Sequence, residues 1–312
     1  MIGRTLLLTL ALAVPAGAFD LQLPVDCTLG EDCYIQQYFD HDPTEGATDF
    51  LCGPMSYDGH DGTDFALPTR TNMREGVAVL AAAPGTVISS RDSVPDFFPH
   101  YADQACGNGV TIDHGQGWQT QYCHLRRASV LVNAGDKVDT GTPLGQVGES
   151  GNAGGFPHLH FSVRYKGQKI DPFAPSGHTC ARVGSNLWAE DLPIKTLGLL
   201  SIGISTEIPR HNRIETGLSS PDLPSTAPAL VVWAHYFGPR KGDQVVLALT
   251  GPEGVVIWQL YTVEKTQARA FRAVGRKLKP TGWPPGWYGG AAIVMRDGVK
   301  LDAMQMSLRV LP

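Results

Sequence analysis

A membrane-spanning helix needs roughly 20 consecutive apolar residues. The apolar run near the start of this chain, Leu6 to Val14, falls short of that before Pro15 breaks it. Basic charge is not in excess either: 25 Lys and Arg stand against 30 Asp and Glu, a net charge of −5. The cationic footprint of a nucleic-acid-binding domain is therefore missing, and no nucleic-acid partner is expected. Two catalytic signatures are also absent. Ser150 is not a nucleophile elbow, because G-x-S-x-G needs glycine at 152 and Asn152 stands there. No H-E-x-x-H occurs, so no helix carries a paired histidine set with a glutamate base.

The 312 residues that are present suffice for two domains of roughly 150 residues each. Hydrophobic content of 42% with 18% charged residues suits a globular protein, and 36 glycines with 23 prolines favour short strands and turns. Residues 1–18 read as a secretory signal peptide: Arg4, the short apolar core, then Ala16-Gly17-Ala18 before a mature start near Phe19. There is no twin arginine. Cys27 follows Leu-Pro-Val-Asp rather than the small residues that precede a lipidated cysteine, so no membrane anchor is expected after cleavage. All six cysteines lie beyond the signal, which in an exported chain reads as disulfides. The expected pairs are Cys27–Cys33 in a local loop, Cys106–Cys123 across a hairpin, and Cys52–Cys180 by remainder.

Residues 19–50 read as a disulfide-pinned extension with one short strand near Tyr34–Phe39. Residues 51–182 follow as the first domain. In Tyr57-Asp-Gly-His-Asp-Gly-Thr-Asp64, glycines 59 and 62 argue against a helix, so a bend must bring His60 and Asp64 together. One imidazole and one carboxylate suit Zn²⁺, although Asp64 alone would more simply cap a turn. Val77 to Ser89 reads as a strand pair turning at Pro84-Gly85. Residues 91–107 form a long irregular loop. Asn108 to Leu125 reads as a hairpin, with Asp113 opposite about Trp118. Alternation on its return strand puts Tyr122 and His124 on one face and Cys123 on the other, which argues against a Cys–His nucleophile pair. Residues 148–155 read as a mobile, substrate-lining loop. His158-Leu159-His160 then reads as the start of a strand, which places both imidazoles on one face and Leu159 on the other. Two neutral imidazoles sharing a face are a natural beginning for a metal site.

After Cys180 the texture changes. Residues 205–228 read as a long loop rich in Ser, Thr and Pro. Apolar alternating runs at 197–204, 229–237, 244–250, 255–262, 267–274, 286–295 and 302–310, separated by turn signals, predict an immunoglobulin-like β-sandwich over 190–312. This domain is where a protein partner would bind. His211 and His235 lie within it without metal spacing.

In order, the chain offers G-H-D-G-T-D-F-A, then G-N-G-V-T-I-D-H-G-Q-G-W-Q-T-Q-Y-C-H-L, then A-G-D-K-V-x-x-G-x-P-L-G, and finally G-x-x-x-x-P-H-L-H-F. Over roughly residues 50–175 it resembles the lysostaphin-type, LytM-like zinc metallopeptidases, which cut peptide bridges of peptidoglycan. The resemblance implies an all-β fold: an antiparallel sheet of the lysostaphin type, akin to a duplicated hybrid motif, here followed by the sandwich. It implies one Zn²⁺ held by His60, Asp64 and His160, with His124 and His158 as the catalytic pair. Asn108 and Tyr122 are further candidates for support or substrate contact. Three protein ligands with an open position suit a catalytic rather than a structural zinc. Without a glutamate base, proton transfer falls to His124 and His158. The expected function is an exported, periplasmic zinc endopeptidase acting on peptidoglycan cross-links. The alternative is a non-enzymatic wall-binding or hydrolase-regulating protein on the same fold.

Overall fold

The computed structural model describes residues 19–97, 104–177 and 185–312. The expected signal peptide lies outside these residues, as does Cys180 and with it the expected Cys52–Cys180 pairing. The other two pairings are present: Cys27 bonds Cys33, and Cys106 bonds Cys123 with 4.8 Å between their Cα atoms. No helix among the described residues is long and apolar enough to cross a membrane.

In chain order the first half forms β1 (Tyr34–Gln37), β2 (Thr63–Ala66), α1 (Arg70–Glu75), β3 (Ala78–Leu80), β4 (Gly85–Arg91), β5 (Asn108–Gly115), β6 (Trp118–Leu125), β7 (Lys137–Val138), β8 (Pro143–Gln146), β9 (His158–Tyr165) and β10 (Gln168–Ile170). Eight of these strands make one sheet in the order β1-β2-β9-β6-β5-β4-β7, with β10 also on β9. β9 lies between β2 and β6, antiparallel to both. Its Leu159, Phe161 and Val163 are fully buried on one face, against Phe65, Tyr122 and Trp188 of the same hydrophobic cluster. Burying each such side chain contributes roughly 1.5–3 kcal/mol. That burial fixes the register, because a one-residue slip would turn the apolar set outward. The register in turn aligns Asp64 with His160, and His160 with Cys123, across three strands.

The 19–50 segment is integral to this packing. Leu21 pairs with Trp188 and Val25 with Val79, and all four side chains are buried. Tyr38 lies edge-on to Phe50 and Phe173 at 5.1 and 5.2 Å. Two local expectations fail. Val77 to Ser89 is not a hairpin: β3 pairs with β8 in a separate ribbon, while β4 joins the main sheet against β5 and β7. The alanines 81–83 between them are buried in the core and cross from one sheet to the other. In the β5–β6 hairpin Asp113 faces Gln119 rather than Trp118, because the register shifts between Asp113 and Gly115.

The second half forms β11 (Gly198–Ser205), α2 (His211–Gly217), β12 (Leu223–Pro224), β13 (Ala229–Phe237), β14 (Gln244–Gly251), β15 (Gly254–Thr262), β16 (Arg269–Lys277), β17 (Gly286–Arg296) and β18 (Val299–Leu311). Two sheets, β11-β13-β16 and β12-β18-β17-β14-β15, enclose one hydrophobic cluster. The 205–228 segment is not simply a loop, since it holds α2 and β12. α2 has a single buried side chain, Ile214, and no side-chain N-cap, so it leaves almost no pattern in the sequence. It is held by packing on α1, where Thr71 Oγ1 donates to the Thr216 carbonyl at 2.6 Å. The outer face of the three-stranded sheet also meets the first half, with Phe237 against Tyr34 at 4.5 Å.

Candidate active site

His60 enters the site through the bend the glycines allow. Gly59 has φ +73°, and a Cβ on Gly62 would come within 2.7 Å of His160 Nε2 and 2.6 Å of the Phe161 carbonyl. Both positions need glycine. The His60 ring is buried, and its Nδ1–H donates to the Tyr38 carbonyl at 2.6 Å. A carbonyl can only accept, so the proton is on Nδ1 and the Nε2 lone pair faces inward. His160 is fixed the opposite way round. Its Nε2 faces Asp61 Oδ1 at 3.2 Å and Ser162 Oγ at 3.0 Å, which leaves Nδ1 as the inward lone pair. Asp61 is itself ion-paired with Lys169.

The inward atoms form a triangle. His60 Nε2 lies 3.1 Å from Asp64 Oδ1 and 3.1 Å from His160 Nδ1, and the third edge, His160 Nδ1 to Asp64 Oδ1, is 2.9 Å. Zinc bonds of roughly 2.0–2.1 Å in a tetrahedron imply ligand separations of about 3.3 Å. Three acceptor lone pairs this close repel one another unless a cation lies between them. The donor set therefore fits a metal ion, with both imidazoles held by outer hydrogen bonds of the kind that fix metal-ligating histidines. Burial alone would raise the Asp64 carboxyl. The surrounding imidazoles of His60, His158 and His160 hold it well below the usual carboxylate range.

His158 and His124 stand beside the triangle. His158 Nε2 is 3.6 Å from Asp64 Oδ1, its Nδ1–H donates to the Phe156 carbonyl at 3.1 Å, and its ring stacks on Phe156 at 4.2 Å. His124 lies 4.7 Å from the His158 ring and 6.0 Å from the His160 ring, centroid to centroid. Its Nδ1–H donates to the Ser150 carbonyl at 2.7 Å. Burial depresses both pKa values. His124 falls well below the ordinary imidazole value, with His158 and His160 adding to the effect, and so is neutral at neutral pH.

His124 does not share a face with Tyr122, as strand alternation predicted. Tyr122 is fully buried in the core and accepts from the Ala82 N–H, so it is not a substrate contact. His124 instead lines a cleft of about 300 Å³ with Gln121, Cys123, His160 and Ser162. The cause is its backbone: at φ +64° it leaves the strand geometry and turns its side chain to the metal face. Cys123 does share that cleft, but its disulfide to Cys106 removes it as a nucleophile.

Asn108 supports the site from behind. Its side chain accepts from the Val94 N–H and donates to the Val94 and Leu125 carbonyls, while its backbone N–H donates to Ser150 Oγ. Ser150 is fully buried and passes that hydrogen bond on to Leu125, so the carbonyl that orients His124 is held rigidly. Further along the loop, Asn152, Ala153 and Gly154 line a larger cavity of about 650 Å³ that also takes in Asp64, His124 and His158. The orienting groups Asp61, Ser162, Phe156 and the Tyr38 and Ser150 carbonyls were not picked out from sequence. Ser162 alone had a readable signal, two places beyond His160 on the same strand face.

The five residues His60, Asp64, His124, His158 and His160 all fall in the segment 58–172, which matches the family model described as peptidase family M23. The chain carries a peptidase M23 domain. The chain is 35% identical over 112 residues to the peptidoglycan DD-endopeptidase ShyA of Vibrio cholerae, covering 36% of this chain and 22% of ShyA. It is 34% identical over 113 residues to the DD-carboxypeptidase/endopeptidase Mpg of Neisseria meningitidis, covering 36% of this chain and 22% of Mpg. The chain thus matches about a fifth of the length of these relatives. Among solved structures, a zinc-containing peptidase from Vibrio cholerae aligns with 50% of this chain and 39% of its own at 27% identity and a TM-score of 0.34. The sandwich lies outside the M23 match.

Proposed function

We propose that the protein is an exported zinc metallo-endopeptidase that hydrolyses peptide cross-links of peptidoglycan in the periplasm. The observation that carries this reading is the triangle of His60 Nε2, Asp64 Oδ1 and His160 Nδ1, with two further buried imidazoles beside it in a groove. The substrate class rests on the likeness to the peptidoglycan endopeptidases. A binding or regulatory protein would have no need of five oriented metal-face side chains, four of them buried and His160 half-buried. Any protein partner is assigned to the sandwich, which exposes Trp258 and Trp287.

His60, Asp64 and His160 would hold the single ion. When bound there, Zn²⁺ supplies Lewis acidity toward a water molecule and the scissile carbonyl. The remaining chemistry belongs to the chain. His124 and His158 both commit Nδ1–H to a backbone carbonyl, so each presents an Nε2 lone pair. In the resting state both are proton acceptors. One takes the proton of the attacking water, and only the resulting imidazolium can donate to the developing oxyanion and then to the leaving amine.

The test is mass spectrometry of cross-linked muropeptide dimers incubated with the mature protein. Dimers are expected to fall to monomers, to persist under a zinc chelator, and to fall again when zinc is restored. Persistence of dimers with zinc demonstrably bound would overturn the endopeptidase reading.

A further inference from the structure

The 650 Å³ cavity beside the metal face is not built by the M23 domain alone. Its walls are Gln36, Asp64, His124 and His158 on one side and His211, Ala268 and Arg269 of the sandwich on the other. We infer that Arg269 is a substrate-binding residue, which pairs with a carboxylate borne by the peptide next to the scissile bond. This rests on the hydrolase reading above and extends it to substrate selection.

Arg269 opens β16 opposite Phe237, the residue through which the three-stranded sheet packs on the M23 side. Its guanidinium carbon lies 4.7 Å from the centroid of Phe156, and Phe156 stacks on His158. Arg269 is therefore one ring removed from His158, one of the two proposed proton acceptors. Its side chain is only 14% exposed, and Nη1 makes one ion pair, 3.1 Å from Glu215 Oε1. A guanidinium carries five N–H donors in a fork matched to a carboxylate. Beyond that contact, no hydrogen bond among the described residues uses them. The neighbouring Arg70 shows the contrast: it lies 3.9 Å from the same Glu215 but spends its fork on both Glu149 oxygens, at 2.8 and 2.7 Å, and on the Gly155 carbonyl. Arg70 is a structural tie. Arg269 keeps open donors, largely shielded from water, in the groove that leads to the metal face. A charge-assisted bond in such a place is stronger than one in open solvent.

The experiment compares two synthetic cross-linked peptides, identical except that the carboxylate nearest the scissile bond is free in one and a carboxamide in the other. Full-length zinc-loaded protein is expected to favour the free carboxylate roughly 10- to 100-fold in kcat/KM, mainly through KM. Arg269→Gln should cleave both peptides at the rate the unaltered protein shows for the amide. Arg269→Lys, which keeps the charge and loses the fork, should retain part of the preference and serves as the second variant should Arg269→Gln not fold. The same peptides are also titrated calorimetrically under chelator. Tighter binding of the free carboxylate that disappears in Arg269→Gln would uphold the site even if neither peptide were cleaved, and the failure would then be that of the hydrolase reading alone. Equal handling of both peptides by the unaltered protein would overturn the proposal. So would a kcat loss in Arg269→Gln that is the same for both, which would make Arg269 a support for Phe156.

Discussion

His160→Ala is expected to take the zinc content of the purified chain from one per molecule to near zero and to lower kcat/KM on muropeptide dimers by at least roughly a thousand-fold. The size follows from several kcal/mol of Lewis-acid stabilisation lost at once. The change removes one corner of a triangle whose edges are 2.9 to 3.1 Å, and a histidine and a carboxylate remain. Folding should survive. Residue 160 faces the cleft, while Leu159 and Phe161 on either side bury the core face of β9 unchanged. Zinc analysis and far-ultraviolet circular dichroism on the same sample separate loss of metal from loss of fold. Full zinc retention in His160→Ala would remove it from the ligand set.

The second large effect belongs to His124. Asparagine is the informative replacement, because it tolerates the left-handed backbone at φ +64° and its amide can still donate to the Ser150 carbonyl. His124→Asn keeps the local geometry and deletes one of the two proposed proton acceptors. Turnover is expected to fall by roughly 10²- to 10⁴-fold, with zinc still bound and KM little altered. Single-turnover hydrolysis and zinc content, measured together, make the check. A variant that loses zinc would place His124 among the ligands. One that loses nothing would leave His158 as the sole acceptor.

The two imidazoles of His158-Leu-His160 were legible because β9 is a regular central strand, where alternation alone decides which way a side chain points. The sandwich was legible for a similar reason. Its long strands alternate, and turn residues mark their ends, so 229–237 reads directly as β13. His124 was legible as a candidate but not in its direction, because a positive φ at one residue cancels the alternation rule and nothing in Tyr-Cys-His-Leu announces it. The region around α2 was opaque for a different reason. That helix is specified by contacts with α1 and by the Glu215 pairs to Arg70 and Arg269, none of which is local in sequence. The wall that the sandwich lends to the groove follows from those same contacts, and a domain-by-domain reading had no means of finding it.

A three-ligand site of two imidazoles and one carboxylate is tested most directly by zinc K-edge X-ray absorption on the reconstituted chain. The expected spectrum is four-coordinate, with nitrogen and oxygen scatterers at roughly 2.0–2.1 Å, the multiple-scattering signature of two imidazoles, and one zinc per chain. A sulfur scatterer near 2.3 Å, or four imidazoles about the metal, would contradict it and place the zinc elsewhere in the molecule.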